Sequence, residues 1–286
     1  MKFTKLHGLG NDYVYVNCFE EDMSRVDLPE LARRVSDRNF GVGGDGLILI
    51  LPSERADFRM RVFNNDGSEA KNCGNGLRCV SKYVYDHGLT AQTTFTVETL
   101  GGIVTPVVQV GEDGKVELVS IDMGEPRLER SEIPMTGIPE EYALEETIEV
   151  EGTTFTMSAV SMGNPHAVLF MDEISDETVR YYGPKIEFHE WFPERTNVEF
   201  IQIENRQEIV FRVWERGSGV TLACGTGACA AVVAACLSGK TDRQVTVHLE
   251  GGDLFIEWRE SDNRVIMTGP ATEVFSGVYH GPIPYK

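Results

Sequence analysis

The spacing of hydrophobic and polar positions along the chain predicts many strands and few helices. Apolar and β-branched residues alternate with polar ones, or run together between turn residues, in segments that are typical of strands. These segments are 13–18, 47–51, 57–63, 93–97, 102–110, 115–122, 153–160, 167–171, 197–203, 208–214, 244–249, 253–258 and 264–268.

Three segments show helical periodicity instead. Asp27 is placed to cap a helix over 28–35, and residues 75–86 repeat apolar positions at helical spacing. Residues 225–237 are apolar nearly all round. A helix without a polar face must be enclosed by the rest of the protein.

The chain also contains an internal repeat. Cys73 and Cys224 each follow a valine by eleven residues, and each begins a C-G-x-G sequence. A Gly-Asn pair lies upstream of both, with Asn11 62 residues before Cys73 and Asn164 60 residues before Cys224. Landmarks in matching order at nearly equal offsets indicate two homologous half-domains.

The pattern and the repeat together predict an α+β fold of two pseudo-symmetric half-domains. Each is a curved sheet wrapped around a central buried helix, with the active site expected in the cleft between them. The N-terminal half, 1–121, carries Cys73 and is completed by a C-terminal return of 270–286. The C-terminal half, 122–269, carries Cys224.

Composition narrows the classes of partner. The net charge of −19 and the lack of a cluster of basic residues argue against nucleic acid. The first residues lack the apolar core of a signal peptide, and the apolar run 223–237 is too short to span a membrane. We therefore expect a cytoplasmic protein that binds a small molecule and neither a membrane nor nucleic acid.

The six cysteines are too few for a disulfide scaffold in a chain of 286 residues. Their spacings, C-x5-C and C-x4-C, match neither zinc sites nor thioredoxin-type redox pairs. We therefore expect reduced thiols and no metal, with Cys18, Cys79, Cys229 and Cys236 as core or inert positions.

A cysteine at the start of each glycine-rich helix suggests proton-transfer chemistry. The helix N-terminus is expected to lower the pKa of the thiol, and its N–H groups can hold a carboxylate. Inverting a stereocentre needs a base on one face of the carbon and an acid on the other. Cys73 and Cys224, one in each half, would supply that pair, and the helix N-termini would stabilise the carbanion without a cofactor.

Several polar residues are candidates for supporting roles. His166 and Glu215 are expected to tune the thiols, and Arg216 to hold a remote carboxylate through two parallel N–H bonds. Four asparagines would bind a polar, zwitterionic substrate, although such asparagines are more often turn residues. They are Asn11, Asn64, Asn164 and Asn197.

At these residues the sequence closely resembles the diaminopimelate epimerase family along essentially the whole chain. The resembling segments are HGLGND at 7–12, N-x-DGSE at 64–69, CGNG-x-RC at 73–79, SMGNPH at 161–166, PER-x-N at 193–197, ERG-x-G at 215–219 and ACGTGA at 223–228. The family interconverts LL- and meso-2,6-diaminopimelate, in the synthesis of lysine and peptidoglycan precursors, without cofactor or metal.

The resemblance implies residue roles. Cys73 and Cys224 would be the acid and base. Binding at the reacting centre would fall to Gly74, Asn75, Gly225 and Thr226, and recognition of the distal end to Asn11, Asn64, Asn164, Asn197, Glu215 and Arg216. Two positions depart from the pattern of some members: Gly46 stands where several have glutamine, and Val220 where glutamate is frequent.

The sequence leaves two other interpretations of the function open. Proline or hydroxyproline racemases and phenazine-type isomerases resemble this architecture, although Arg216 with four asparagines favours a longer, polar substrate. A redox-sensing or metal-binding protein using Cys73 and Cys224 is the alternative outside isomerase chemistry. The oligomeric state, a homodimer included, stays open as well.

Overall fold

A computed structural model describes residues 1–71 and 73–286 of the chain, and these divide into two compact units. The first comprises Met1–Ile121 and Gly269–Lys286, and the second Asp122–Thr268. The α+β class with two half-domains and few helices, predicted from the sequence, is confirmed. No helix among these residues has the length and apolar character needed to cross a bilayer.

The first unit is built on an eight-stranded sheet with the order β19-β1-β2-β3-β4-β6-β7, in which β5 pairs with β4. Strands β8 and β9 pair with each other in antiparallel orientation and are not part of this sheet. The strands, numbered along the whole chain, are β1 (Lys2–Gly8), β2 (Asn11–Asn17), β3 (Gly46–Leu51), β4 (Phe58–Asn64), β5 (Glu69–Ala70), β6 (Val97–Thr99), β7 (Gly102–Val104), β8 (Val107–Val110), β9 (Val116–Asp122) and β19 (Thr272–Val278).

Two helices cover this sheet. Helix α1 (Leu28–Ser36) begins after Asp27, whose carboxylate accepts the N–H of Glu30, as its capping pattern predicts. Helix α2 (Gly74–Asp86) begins after Cys73 and packs against β1, β2, β4 and β19. The core beneath α1 contains fully buried side chains such as Leu31 and Leu47.

In the second unit the strands follow the order β10-β11-β12-β13-β14-β16-β17-β18, with β15 beside β14. Pairing is antiparallel except between β12 and β13 and between β14 and β16. The strands are β10 (Glu146–Val150), β11 (Thr153–Ser161), β12 (Pro165–Phe170), β13 (Asn197–Asn205), β14 (Glu208–Glu215), β15 (Gly219–Val220), β16 (Gln244–Leu249), β17 (Gly252–Trp258) and β18 (Val265–Pro270).

Helix α4 (Gly225–Leu237) is the centre of the second unit. It has the bounds that its pattern predicts, and its residues from Gly227 to Ala235 are buried. The helix packs against β11, β12, β13, β16 and β17, which enclose it. Its first turn carries the second C-G-x-G sequence, so the sheet around α4 fixes the position of Cys224.

The sequence pattern missed some elements. Helix α3 (Asp176–Glu187) was not predicted because Gly183 and Pro184 interrupt its periodicity, yet Ser175 caps it and Val179 and Ile186 anchor it in the core. The pattern also missed strands β1, β5, β10, β15 and β19, and the predicted strand over 93–97 overlaps β6 only at Val97. The predicted strand over 102–110 is two strands, since neither contains residues 105–106.

Candidate active site

Cys73 lies at the N-cap of α2 with an extended backbone. Its sulfur accepts a hydrogen bond from the backbone N–H of Gly76 at 3.3 Å, so one of the unpaired donors of the first turn points at the sulfur. A Cβ on Gly76 would lie 2.6 Å from Ile48 Cδ1 and 3.3 Å from Cys73 Sγ, which explains why this position is glycine. The C-G-x-G sequence therefore packs the helix start against the sheet and presents the thiol.

Asn11 lies beside Cys73, as the repeat suggested. Its Oδ1 accepts from Asn75 Nδ2 at 3.3 Å and stands 3.7 Å from Cys73 Sγ. Its Nδ2 donates to Asp45 Oδ2 at 2.8 Å, and this bond orients the amide so that the oxygen faces the thiol. The structure thus brings together Asn11, Cys73 and Asn75.

Charged residues that sequence reasoning did not select hold this asparagine in place. Asp45 accepts from Asn11 and ion-pairs with Arg38, which also pairs with Asp12. Lys5, only 8% exposed, forms a 2.6 Å ion pair with Asp12. Burial raises the pKa of Asp12, but hydrogen bonds from Arg38 and Lys5 outweigh it, so the pKa is lowered.

Tyr13 is a second residue that the sequence pattern did not single out. It lies two residues after Asn11 on β2, and its phenol is close to both Cys73 and Asn11. Burial, and then the neighbouring Cys73, raise the pKa of the phenol above its usual value. The ring fits because position 46 has no side chain: a Cβ on Gly46 would lie 2.7 Å from Tyr13 Cε1.

Asn64 is partly exposed at the end of β4, where its Nδ2 donates to Ser68 Oγ at 3.0 Å. This contact joins the two ends of the turn that follows β4, in which Asp66 also accepts from Ser68. The described contacts of Asn64 are therefore those of a turn residue.

Cys224 caps α4 in the second unit and is 5% exposed. Its sulfur lies 3.6 Å from the hydroxyl oxygen of Thr226. The expected net lowering of this thiol's pKa is wrong: burial, followed by the nearby carboxylates of Glu215 and Glu199, raises the pKa well above its usual value. Hydrogen bonds from Thr226 and the Gly227 N–H oppose this rise without cancelling it.

Glu215 was expected to tune the thiols, and the structure places it within hydrogen-bonding reach of Cys224. Its Oε1 also accepts a short hydrogen bond from the hydroxyl of Thr221. Burial raises the pKa of Glu215 above its usual value. A carboxyl that ionises less readily adds less negative charge beside the sulfur.

His166 is fully buried and paired with Glu199, which the sequence analysis did not consider. The distance from His166 Nδ1 to Glu199 Oε1 is 2.7 Å, and that from His166 Nε2 to Asn164 Oδ1 is 3.0 Å. Asn164 Nδ2 in turn donates to Thr226 Oγ1 at 3.4 Å. A glutamate within the otherwise apolar run 198–201 was the available signal for this pair.

Asn197 and Arg216 lie together near the end of β14. The amide of Asn197 donates to Pro165 O and accepts from the backbone N–H of Arg216, both at 2.9 Å. Arg216 is exposed, and its Nη1 donates to Glu194 O at 3.0 Å. Asn197 therefore holds the backbone that carries Arg216.

Among the described residues, no group of three or more His, Cys, Asp or Glu side chains is arranged to hold a metal ion. Gly74 and Gly225 begin α2 and α4 directly after the two cysteines, and Val220 lies on the short strand β15. Cys79 and Cys229 are fully buried, whereas Cys18 and Cys236 are partly buried.

The fold is that of several solved structures with little sequence similarity. A Bacillus anthracis phenazine biosynthesis protein of the PhzF family superposes with a TM-score of 0.67 at 16% identity, over 97% of this chain and 98% of that chain. A hydroxyproline epimerase from Agrobacterium vitis, solved with bound trans-4-hydroxy-L-proline, gives 0.66 at 15% identity, over 98% and 91%. This chain therefore has the α+β fold that these proteins share.

The sequence relationships are more specific. The family model described as diaminopimelate epimerase matches residues 3–129 and 158–274. A diaminopimelate epimerase of Bacillus cereus is 58% identical over 279 residues, which cover 97% of this chain and 96% of that protein. The chain belongs to the diaminopimelate epimerase family, as its motifs predicted.

Proposed function

We propose that this protein interconverts LL- and meso-2,6-diaminopimelate by moving the α-proton between Cys73 and Cys224. The observation that carries the proposal is the matched placement of the two cysteines, each the N-cap of a helix with a glycine-rich first turn. Membership of the family and identity to diaminopimelate epimerases support the choice of substrate.

The two sulfurs differ in ways that suit an acid and a base. Because the pKa of Cys224 is raised, this thiol keeps its proton at neutral pH and can act as the acid. The sulfur of Cys73 accepts the Gly76 N–H, which favours a thiolate, and in its thiol form it donates to Asn11 Oδ1 at 3.7 Å, so Cys73 has a hydrogen-bond partner in both protonation states. We therefore propose that the resting enzyme pairs a protonated Cys224 with a basic Cys73, and that the reverse reaction exchanges these states.

The remaining groups bind the substrate. Backbone N–H groups at the starts of α2 and α4, with Gly74, Asn75, Gly225 and Thr226, would hold the α-carboxylate and stabilise the carbanion, so the mechanism needs no cofactor. We propose that Glu215 and Arg216 bind the zwitterionic distal end of the substrate and that four asparagines add further hydrogen bonds to it. These are Asn11, Asn64, Asn164 and Asn197.

Incubation with LL-diaminopimelate in deuterium oxide tests the proposal, since epimerisation must place deuterium at the α-carbon as meso isomer forms. Cys73→Ala and Cys224→Ala are each expected to abolish turnover while keeping the fold, because each removes one proton-transfer partner. Cys79→Ala and Cys229→Ala are the matched controls and should retain activity with a modest loss of stability. Wild-type turnover in either active-site variant would rule out the two-thiol mechanism.

We also propose a cytoplasmic location with no nucleic-acid or membrane partner. A net charge of −19 disfavours polyanions and anionic surfaces, and a zwitterionic amino acid is unaffected by that field. Salt-independent kinetics would support a zwitterionic substrate, whereas a strong dependence on ionic strength would contradict it.

A further inference from the structure

Glu199 and His166 form a completely buried ionisable pair in the second unit. Both side chains are 0% exposed, and Nδ1 and Oε1 are 2.7 Å apart. The other carboxylate oxygen of Glu199, Oε2, has no hydrogen-bond partner among the described residues. A buried polar atom without a partner costs stability, so packing alone does not explain why a glutamate occupies this position.

The hydrogen-bond partners determine how many protons this pair holds. A separation of 2.7 Å between Nδ1 and Oε1 requires a proton between them. His166 Nε2 must carry a second hydrogen, because Asn164 Oδ1 can only accept. With these two protons the pair has no net charge, whereas losing one would leave a net negative charge in a site without solvent.

The Nε2 hydrogen sets the direction of a hydrogen-bond chain that ends at Cys224. His166 Nε2 donates to Asn164 Oδ1, which leaves the Asn164 Nδ2 to donate to Thr226 Oγ1 at 3.4 Å. Since the Thr226 oxygen accepts from Asn164, its own hydrogen is available to Cys224 Sγ at 3.6 Å. Every donor in the chain then points toward the sulfur, which favours its thiolate form.

We propose that Glu199 is a positioning residue for proton transfer at Cys224: with His166 it fixes the direction of this chain, so that the Thr226 hydroxyl donates to the sulfur. This inference rests on the proposed function of Cys224. No proton passes along this hydrogen-bond chain, because the Asn164 amide separates His166 from Thr226.

A glutamine at position 199 would remove that control. Glutamine either donates to Nδ1 or accepts from it, and the two tautomers of a neutral His166 are then equally free of charge. When the glutamine oxygen accepts from Nδ1, the hydrogen of His166 is on Nδ1 and Nε2 becomes an acceptor. The Asn164 amide then turns over to donate to Nε2, and Thr226 donates to Asn164 instead of Cys224. Glu199 prevents this reversal because its burial disfavours the charged state that the reversal requires.

Direct electrostatics give the pair a second route to the sulfur. A Cβ added at Gly227 would lie 2.8 Å from Glu199 Oε1 and 3.2 Å from Cys224 Sγ, so both atoms border the same small space. The titratable groups facing Cys224 in its unit are Glu199 and Glu215, with His166 behind them. Glu199→Gln keeps the pair without net charge but removes a carboxylate that by itself raises the pKa of Cys224. That loss alone would move the pH midpoint of Cys224 alkylation downward, so an upward shift identifies the lost hydrogen bond from Thr226.

Site-specific alkylation measures the predicted effect. Wild type and Glu199→Gln are treated with iodoacetamide over a range of pH, and modification of the Cys224 peptide is followed by mass spectrometry. We expect Glu199→Gln to slow alkylation about threefold to tenfold near neutral pH, the loss of one hydrogen bond, and to shift its pH midpoint upward. The kcat should fall by a similar factor with KM little changed.

A double-mutant cycle separates positioning from a structural role. Thr226→Val removes the hydroxyl that ends the chain, so adding Glu199→Gln to it should slow alkylation no further. Glu204→Gln, an exposed carboxylate on the same strand, is the matched control and should match wild type. Urea unfolding of Glu199→Gln should show stability equal to that of wild type, because glutamine is isosteric and keeps a bond to Nδ1.

The outcomes distinguish this inference from the proposed function. Unchanged alkylation in Glu199→Gln, or effects that add fully to those of Thr226→Val, would overturn the role of Glu199 while leaving Cys224 as a catalytic thiol. Turnover by Cys224→Ala would instead remove the proposed function itself. A loss of stability that accounts for the loss of activity would assign Glu199 to packing.

Discussion

Individual side chains give the two cysteines different environments. Cys73 receives a backbone N–H and lies beside the oriented amide of Asn11, whereas Cys224 is nearly enclosed and surrounded by carboxylates. The helix N-terminus acts on both, but at Cys224 the cost of burying a charge outweighs it. Equivalent positions in a repeat therefore need not have equal acidity.

Arg216→Lys tests recognition at the distal end of the substrate. Lysine keeps the charge but cannot make two parallel N–H bonds to a carboxylate, so kcat/KM should fall about 10- to 100-fold, the effect of losing one charge-assisted hydrogen bond. Arg206→Lys is the control, because that exposed residue pairs with Asp242. Steady-state kinetics with diaminopimelate, and with an analogue that lacks the distal carboxylate, measure the loss of kcat/KM in each variant. Equal discrimination by mutant and wild type would remove Arg216 from this role.

Among the elements, the close packing of strand β3 against its neighbours depends on Gly46, which has no side chain. Gly46 pairs with Tyr13 of β2 on one side and with Asn64 of β4 on the other. An added Cβ would lie 2.1 Å from Phe63 O, a backbone atom that cannot move without shifting β4. Gly46 therefore allows β3 to lie close to both β2, which bears Asn11 and Tyr13, and β4, which bears Asn64.

Gly46→Ala should accordingly destabilise the protein by about 1–3 kcal/mol through overpacking. Gly111→Ala is the matched control, since its nearest neighbour, Asp113 Oδ1, would be 3.4 Å from the new Cβ. There we expect stability to be unchanged or raised by up to about 1 kcal/mol. Urea denaturation of both variants gives the comparison, and equal stability would show that β4 adjusts easily.

The buried thiols affect the stability of the whole molecule at alkaline pH. Burial raises the pKa of Cys79 to about 12, whereas a thiol in the unfolded chain ionises near pH 8.5. Between these values the folded state binds the extra proton, so the free energy of unfolding falls as pH rises. Below pH 8.5 both states are protonated, and this contribution is fully present.

Unfolding by urea at pH 7.5 and at several pH values up to 11 measures the slope of the unfolding free energy against pH. We expect Cys79→Ala to reduce it by up to about 1.4 kcal/mol per pH unit, because one proton fewer is released on unfolding. Glu204→Gln, which has no thiol, should keep the wild-type slope. An unchanged slope in Cys79→Ala would show that the Cys79 thiol titrates in the same range in both states.

The sequence by itself determined the elements whose signals are local. The bounds of α4 follow from its uninterrupted apolar run, the start of α1 follows from Asp27 and Pro29, and the positions of the two cysteines follow from the repeat. Family membership was readable for the same reason, since its motifs are short and contiguous. Helix α3 escaped because tertiary contacts stabilise it despite Gly183 and Pro184.

Only the tertiary structure decided the partners and acidity of the site residues. His166 and Glu199 are 33 positions apart and meet because β12 and β13 pair in parallel, a register that no local pattern specifies. The raised pKa of Cys224 likewise depends on burial and on carboxylates brought close by folding. Local sequence fixes which groups begin a helix, whereas desolvation and long-range contacts fix how those groups ionise.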